Sequence, residues 1–338
     1  ITISSTVVSV ENQTDFPLLV YLASDANIAA NAQADGDDIL ITSSDGTTKL
    51  SHEIEKYTSA TGELWAWVKI PTLSVSTNTV LYIYYGNAGA ASQQDATNVW
   101  DSNFKGVWHM PNGTILTALD STINANNGTV VGATAATGQV DGAGSFDGTD
   151  DYVAAGTATI VSSGPATIST WVNADVSEGS TSLAGLKIGV GMIVYHGATT
   201  GGNNAAMFGF RNVNEMFSPS NSLTNGVWQH IVFVYDGNDN GLASSYKIYI
   251  DGVSQTVTKR TGFIGGSTTQ NNLGREESSG YFKGLIDEVK VSSSVRAASW
   301  IATEYNNQYS PATYQTLGAQ EASFSPGAAI YRQLRRHV

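Results

Sequence analysis

Cysteine is absent from the 338 residues, which excludes disulfide staples, zinc–thiolate sites and cysteine nucleophiles together. Charge is scarce as well: Asp, Glu, Lys and Arg make up only 13% of the chain. Helical proteins draw on Glu, Lys, Arg and Leu, which lose little rotamer freedom in a helix, so their scarcity argues against an α-rich fold. The basic sign is the scarcer, with 16 Lys and Arg against 29 Asp and Glu and a net charge of −13. A surface of that sign repels phosphate backbones, so no nucleic-acid partner is expected. No stretch approaches the roughly 18 apolar residues that a spanning helix needs, so no membrane span is expected. No signal peptide is evident either. The chain opens directly on the strand-like ITISSTVVSV, as a mature or trimmed product would.

What is present favours an all-β protein. Gly contributes 35 residues, and Ser, Thr and Asn are abundant, as many short strands joined by turns require. A hydrophobic content of 41% suffices for burial, and the length suits two domains better than one core. In the first domain, residues 1–100, the strand signals are Phe16–Leu22 (FPLLVYL), Ile39–Thr42, Leu50–Tyr57, Leu64–Ile70 (LWAWVKI) and Thr79–Tyr85 (TVLYIYY). One helix is expected over Asp25–Ala34, with Ser24 as its N-cap.

Residues 100–145 form an Asn-, Gly-, Ala- and Thr-rich hinge containing a short strand around Trp108 (GVWHM). Strands then resume at regular spacing: Ser145–Phe146 with Tyr152–Val153, Ala166–Val172, Ile188–Tyr195, Ala206–Arg211, Trp228–Tyr235, Tyr246–Ile250 and Tyr281–Val291. That spacing predicts a sandwich or jelly roll. Asp251-Gly252 reads as a two-residue hairpin turn, because both residues tolerate positive φ. The tail, residues 321–338, gathers Arg332, Arg335 and Arg336 and reads as a solvated end, a partner-binding arm or an extraneous extension.

Five segments in order, SFDGTDDYV (Ser145–Val153), ATISTWV (Ala166–Val172), GVWQHIVFVYD (Gly226–Asp236), KIYIDGVSQ (Lys247–Gln255) and FKGLIDEVKV (Phe282–Val291), resemble the concanavalin A-like, laminin-G type jelly roll. The resemblance spans residues 106–320. Upstream, FPLLVYL, DGDDILITSSDGTTKLSHEIEKY, LWAWVKIP and TVLYIYYGN resemble the small β domain called DUF2341. That family usually begins with a Trp- and Tyr-containing strand just before the position of ITI, and this chain lacks it. The fold class implied is a small N-terminal β domain followed by a jelly-roll sandwich.

The resemblance implies a structural calcium held by Asp120, Asn127 and Asp287 with nearby carbonyls. A hard cation takes about six to eight oxygens, and the loop Asp120–Gly128 is rich in them. Asp147, Asp150 and Asp151 form a second acidic group. The same carboxylates also suit side-chain-to-backbone turns. Sugar recognition calls for an aromatic platform with planar polar groups. The candidates are Tyr195, His196, Phe208, Arg211, Arg275 and Tyr281, with Phe210 and Asn212 beside them; aromatics at strand positions also serve as core.

Catalysis finds less support. Jelly-roll glucanases present carboxylates from one strand as Glu-x-Asp, and that pattern occurs nowhere in the chain. Glu53 and Glu55 share a face by alternation, whereas Asp287 and Glu288 are expected on opposite faces. The five His residues show no metal-ligand spacing. The expected function is therefore a non-catalytic, secreted or cell-surface module binding a polysaccharide or glycoconjugate. An alternative is a structural subunit of a surface filament or envelope assembly, self-associating through an open sheet edge. A glycan-cleaving enzyme with an unfamiliar site comes third.

Overall fold

The computed structural model describes residues 1–156, 164–175, 183–188, 190–195, 204–210, 214–238, 243–259, 271–275 and 281–320, with backbone only for 183–188, 190–195, 208–210 and 214–215. Alternating apolar residues build two strand-rich units, as composition and periodicity lead one to expect.

The first unit contains two small sheets. One orders its strands as Gln13–Leu22, Glu63–Leu73 and His52–Thr58, all antiparallel. The other runs Gln315–Thr316, Thr2–Ile3, Thr79–Tyr84 and Leu40–Ser43. Phe16, Leu18, Val20, Ile41, Leu64 and Trp67 pack in the shared core. The helix forms over Ala26–Asn31, shorter than expected, and its N-cap is Asp25 instead of Ser24. Asp25 Oδ1 accepts from the amides of Asn27 and Ile28 at 2.9 and 3.0 Å, which satisfies donors that the first turn leaves free.

The end of the chain returns to this unit. After the jelly roll, a helix over Ala298–Tyr309 lays Trp300 into the first core, and Gln315–Thr316 pairs with Thr2–Ile3. The strand Thr2–Ile3 therefore has a neighbour on each side. Asn307 occupies the edge of Gln13–Leu22: its Oδ1 accepts from Leu19 N at 2.8 Å and its Nδ2 donates to Leu19 O at 2.9 Å. One amide side chain thus does the work of a neighbouring strand, as edge protection requires. The Gln315 side chain donates to Tyr21 O on the same edge.

The second unit is a sandwich of two sheets with eight described strands each. The first orders Val253–Ser254, Tyr246–Ile250, Trp228–Tyr235, Ala166–Ala174, Lys283–Ser292, Gly142–Asp147 and Thr134–Thr137, with Phe104–Trp108 also paired to Lys283–Ser292. The second orders Thr258–Lys259, Asn214–Phe217, Ala205–Phe210, Val190–Tyr195, Leu183–Ile188, Asn272–Leu273, Tyr152–Ala154 and Thr129–Val131. Between the sheets lie Ile168, Val172, Ile231, Phe233, Ile248, Ile286, Val289 and Val291. The other face of the first sheet is covered in part by the C-terminal helix, with Val232, Val234 and Tyr249 against Ile301. Ala166–Ala174 is central, so both of its faces are buried. Asp251 (φ 51°) and Gly252 (φ 74°) form the expected two-residue turn, with Ile250 opposite Val253.

The closing strand, Lys283–Ser292, carries a bulge. Its pairing with Ala166–Ala174 shifts register across Ser169–Trp171, and Glu288 adopts φ 51°. Ile286 and Val289 both enter the core, so Asp287 and Glu288 turn to the outer face together. This corrects the expectation of opposite faces: strict alternation fails because one extra residue is inserted.

Candidate functional site

Two clusters of polar side chains stand out, one on the outer face of the second sandwich sheet and one enclosed between the units.

The first is built by alternation. Val153 and Leu273 enter the sandwich core, so Tyr152 and Asn272 face outward. Gly274 takes φ 83° and re-aims the chain, bringing the Arg275 guanidinium 3.6 Å above the Tyr152 ring centroid. Arg275 pairs through an isolated bridge with Tyr281, and Phe282 N donates to Gly274 O at 2.9 Å. Arg275 Nη2 lies 3.5 Å from Asn272 Oδ1, at the limit of a hydrogen bond. Arg275 Nε and Asn272 Nδ2 are buried donors without a partner among the described residues. Val131, opposite Tyr152, completes an apolar border. The expected residues Arg275 and Tyr281 are thus brought together, and Tyr152 and Asn272 join them. His196, Arg211 and Asn212 lie outside the described residues, as do the side chains of Tyr195, Phe208 and Phe210.

The residues expected to hold calcium fall in two networks. Asp120 Oδ1 accepts from Val107 N (3.0 Å) and Thr122 N (2.9 Å), and Oδ2 from Asn126 N (2.7 Å) and Thr122 Oγ1 (3.0 Å). Asn127 Oδ1 accepts from Asp120 N at 2.9 Å. These bonds fold the loop upon itself. Asp287 Oδ2 accepts from the amides of Gln139 (3.0 Å) and Val140 (2.9 Å). Among the described residues no hydrogen bond or ion pair joins Asp287 to Asp120 or Asn127. Carboxylate oxygens of Asp147, Asp150 and Asp151 lie within 4.8 Å of one another in an exposed turn.

The second cluster centres on His109. The strand His52–Thr58 turns both Glu53 and Glu55 toward His109, although its register against Glu63–Leu73 shifts between Ile54 and Lys56. His109 follows the strand Phe104–Trp108 and stacks on Trp67, with centroids 5.4 Å apart and planes at 24°. Its Nδ1 lies 2.7 Å from Glu288 Oε1 and 3.7 Å from Glu55 Oε2, and its Nε2 lies 3.4 Å from Glu53 Oε2. Glu288 Oε2 meets Lys290 Nζ at 2.7 Å, and Lys290 lies 4.5 Å above the Trp67 ring. Glu304 on the C-terminal helix stands 3.5 Å from Lys290. Indole donors orient the carboxylates: Trp67 Nε1 to Glu55 Oε2 at 2.8 Å and Trp100 Nε1 to Glu53 Oε2 at 3.1 Å. Ser121 Oγ donates to Glu53 Oε1 at 2.5 Å.

Solvent exclusion governs the titration of these groups. Burial disfavours the His109 cation, but the Glu288 and Glu53 carboxylates outweigh it and hold His109 well above the ordinary histidine range. Burial, then the Glu288 charge, pushes Glu55 well above the carboxylate range. Asp287 is raised by the same causes. Glu288 goes the other way: burial is outweighed by His109 and Lys290, which lower it. The result is a bridged array in which His109 and Lys290 are cations and Glu53 and Glu288 anions. The Glu55 and Glu288 side chains are 1% and 0% exposed, so a polymer substrate cannot reach them. Glu53 and Glu55, the paired carboxylates visible in the sequence, therefore join the two units. His109, Glu288, Lys290 and Trp67 could not be grouped from sequence, because they come from separate segments and one depends on a bulge.

A family model described as Concanavalin A-like lectin/glucanases superfamily matches residues 147–302. A second, described as Domain of unknown function (DUF2341), matches residues 35–110. No protein of curated function matches the sequence. Among solved structures, the chain is similar to domain 4 of AbnA, a GH43 extracellular arabinanase from Geobacillus stearothermophilus in complex with arabinotriose. That similarity has 20% identity and a TM-score of 0.44, over 59% of this chain and 97% of that one. Similarity to Trypanosoma rangeli sialidase in complex with sialic acid has 13% identity and a TM-score of 0.43, over 77% of this chain and 45% of the sialidase. The botulinum neurotoxin serotype D ligand binding domain in complex with N-acetylneuraminic acid gives 13% and 0.39, over 63% and 53%. The chain therefore spans about half the length of the sialidase and the toxin domain. The chain joins a DUF2341 domain to a concanavalin A-like domain, in the order that its motifs predict.

Proposed function

We propose that the jelly roll is a non-catalytic glycan-binding module of an exported surface protein, and that its ligand face is the outer surface around Tyr152, Asn272, Arg275 and Tyr281. The supporting observation is the Arg275–Tyr152 stack on that outer face, with Tyr281 paired to Arg275 beside it. A guanidinium beside aromatic rings calls for a ligand with hydrogen-bond acceptors next to an apolar face. A sugar matches that demand, since its hydroxyls accept hydrogen bonds and its C–H face packs on a ring. Binding is favoured over cleavage because the paired carboxylates Glu53 and Glu55 are enclosed between the units and unavailable to a polymer.

A glycan array with the full chain tests this reading, with Tyr152→Ala and Arg275→Ala as companions. Loss of a central aromatic or arginine contact of about 1.4 kcal/mol or more lowers affinity at least about tenfold. The expected result is one class of glycan bound by the wild type and weakened by both changes. Silence across diverse polysaccharides at high protein concentration contradicts the reading. Cell fractionation tests export, and recovery in the cytosol alone contradicts that part.

A further inference from the structure

We propose that Glu55, His109 and Glu288 form a closed site for a first-row divalent metal ion, such as Zn²⁺ or Mn²⁺, that ties the DUF2341 domain to the jelly roll. One ligand atom from each of the three lies within 4.8 Å of the others. His109 Nδ1 stands 2.7 Å from Glu288 Oε1 and 3.7 Å from Glu55 Oε2. Metal bonds of about 2.0–2.1 Å in a tetrahedron place neighbouring ligand atoms roughly 3.3 Å apart, and the two separations bracket that value.

Each ligand is held by a second residue, as metal sites require. His109 presents Nε2 to Glu53 at 3.4 Å, which leaves Nδ1 to face the other two carboxylates. Trp67 Nε1 fixes Glu55 through Oε2, and Lys290 fixes Glu288 through Oε2. An independent observation points to a missing partner: Glu55 Oε1 is buried and accepts no hydrogen bond among the described residues. That oxygen supplies a fourth donor if Glu55 binds through both oxygens. Charge argues the same way. Five carboxylates, on Glu53, Glu55, Asp287, Glu288 and Glu304, gather around the two basic groups of His109 and Lys290, all largely out of solvent. A divalent ion that displaces the proton shared by His109 Nδ1 and Glu288 Oε1 adds one net positive charge to this enclosure.

The donor set decides the class of ion. One imidazole with two carboxylates suits Zn²⁺ or Mn²⁺, whereas Ca²⁺ wants about six to eight oxygens. The calcium implied at Asp120, Asn127 and Asp287 shares no ligand with this site, although Asp287 is the chain neighbour of Glu288.

The test uses the full chain, stripped with chelator and dialysed separately against Zn²⁺, Mn²⁺ or Ca²⁺. Metal content by mass spectrometry is expected to show one Zn²⁺ or Mn²⁺ per chain, with a raised Tm and no retained Ca²⁺. Glu55→Gln, which keeps an acceptor for Trp67, and His109→Gln are each expected to lower affinity at least about 100-fold, and Glu53→Gln about 10–100-fold. Absence of stoichiometric metal in the wild type overturns the proposal, as does retention of calcium alone. Undiminished binding in both Glu55→Gln and His109→Gln overturns it as well. Should His109→Gln fail to fold, Co²⁺ on the wild type reads the ligand set directly. An intense visible spectrum of tetrahedral Co²⁺ supports the site, and a solution-like spectrum overturns it.

Discussion

At the scale of single residues, the interior is governed by whether each charge has a partner. Lys290 is 3% exposed and lies between Glu288 and Glu304. Removing one member of such an array leaves an uncompensated charge, which costs about 3–5 kcal/mol. Lys290→Met is therefore expected to lower unfolding stability by about that amount, and adding Glu288→Gln to recover part of it, as a urea double-mutant cycle would show. His230 is the opposite case. It packs against Trp171 and Tyr305, its Nδ1 has no hydrogen-bond partner among the described residues, and burial lowers its pKa from 6.5 to about 4. Because the unfolded chain binds the proton more readily, the contribution is complete above pH 6.5 and falls away as the pH drops toward 4. The loss is on the order of 3 kcal/mol. Urea midpoints at pH 7 and pH 4.5 are expected to fall more for the wild type than for His230→Gln; equal falls would remove His230 as the cause.

At the scale of elements, strands were legible because their signal is local. Leu64–Ile70 lies within the strand Glu63–Leu73, and Phe16–Leu22 within Gln13–Leu22. Asp251-Gly252 announced its turn because few residues tolerate that backbone. What escaped was non-local. The C-terminal helix has no strong amphipathic stripe: its buried arc mixes Trp300 and Ile301 with Thr303, Glu304, Asn307 and Gln308, because it packs against both units. The bulge at Glu288 leaves no mark in the sequence FKGLIDEVKV, yet it turns two carboxylates to one face. Tyr152 was visible within its motif, but its pairing with Arg275 depends on Gly274 re-aiming the chain. Asn307 yields a prediction of its own. Asn307→Ala strips both hydrogen bonds from Leu19, and each buried group left unsatisfied costs about 1–3 kcal/mol. The variant is expected to be less stable and, with its edge opened, to associate at high concentration on size exclusion. A stable, strictly monomeric variant would show that other contacts guard the edge.

At the scale of the whole molecule, the two units are interlocked. Phe104 and Val107 enter the first core while Trp108, on the same strand, enters the second. Lys56 of the first unit meets Asp141 of the second at 2.8 Å. The chain leaves the first unit, builds the sandwich and returns to complete the first sheet through Gln315–Thr316. A fragment ending at residue 104 lacks Trp300, Tyr314 and that strand, and is expected to show no native near-ultraviolet circular dichroism. A folded fragment would contradict the interlocking.

The proposed glycan face belongs to this scale too, since it lies on the outer face of the second sandwich sheet around Tyr152. Hydrogen–deuterium exchange, with and without an oligosaccharide identified on the array, tests that assignment most directly. The account predicts added protection at residues 129–131, 152–154 and 271–275. Protection confined to other strands, with these segments unchanged, would contradict it.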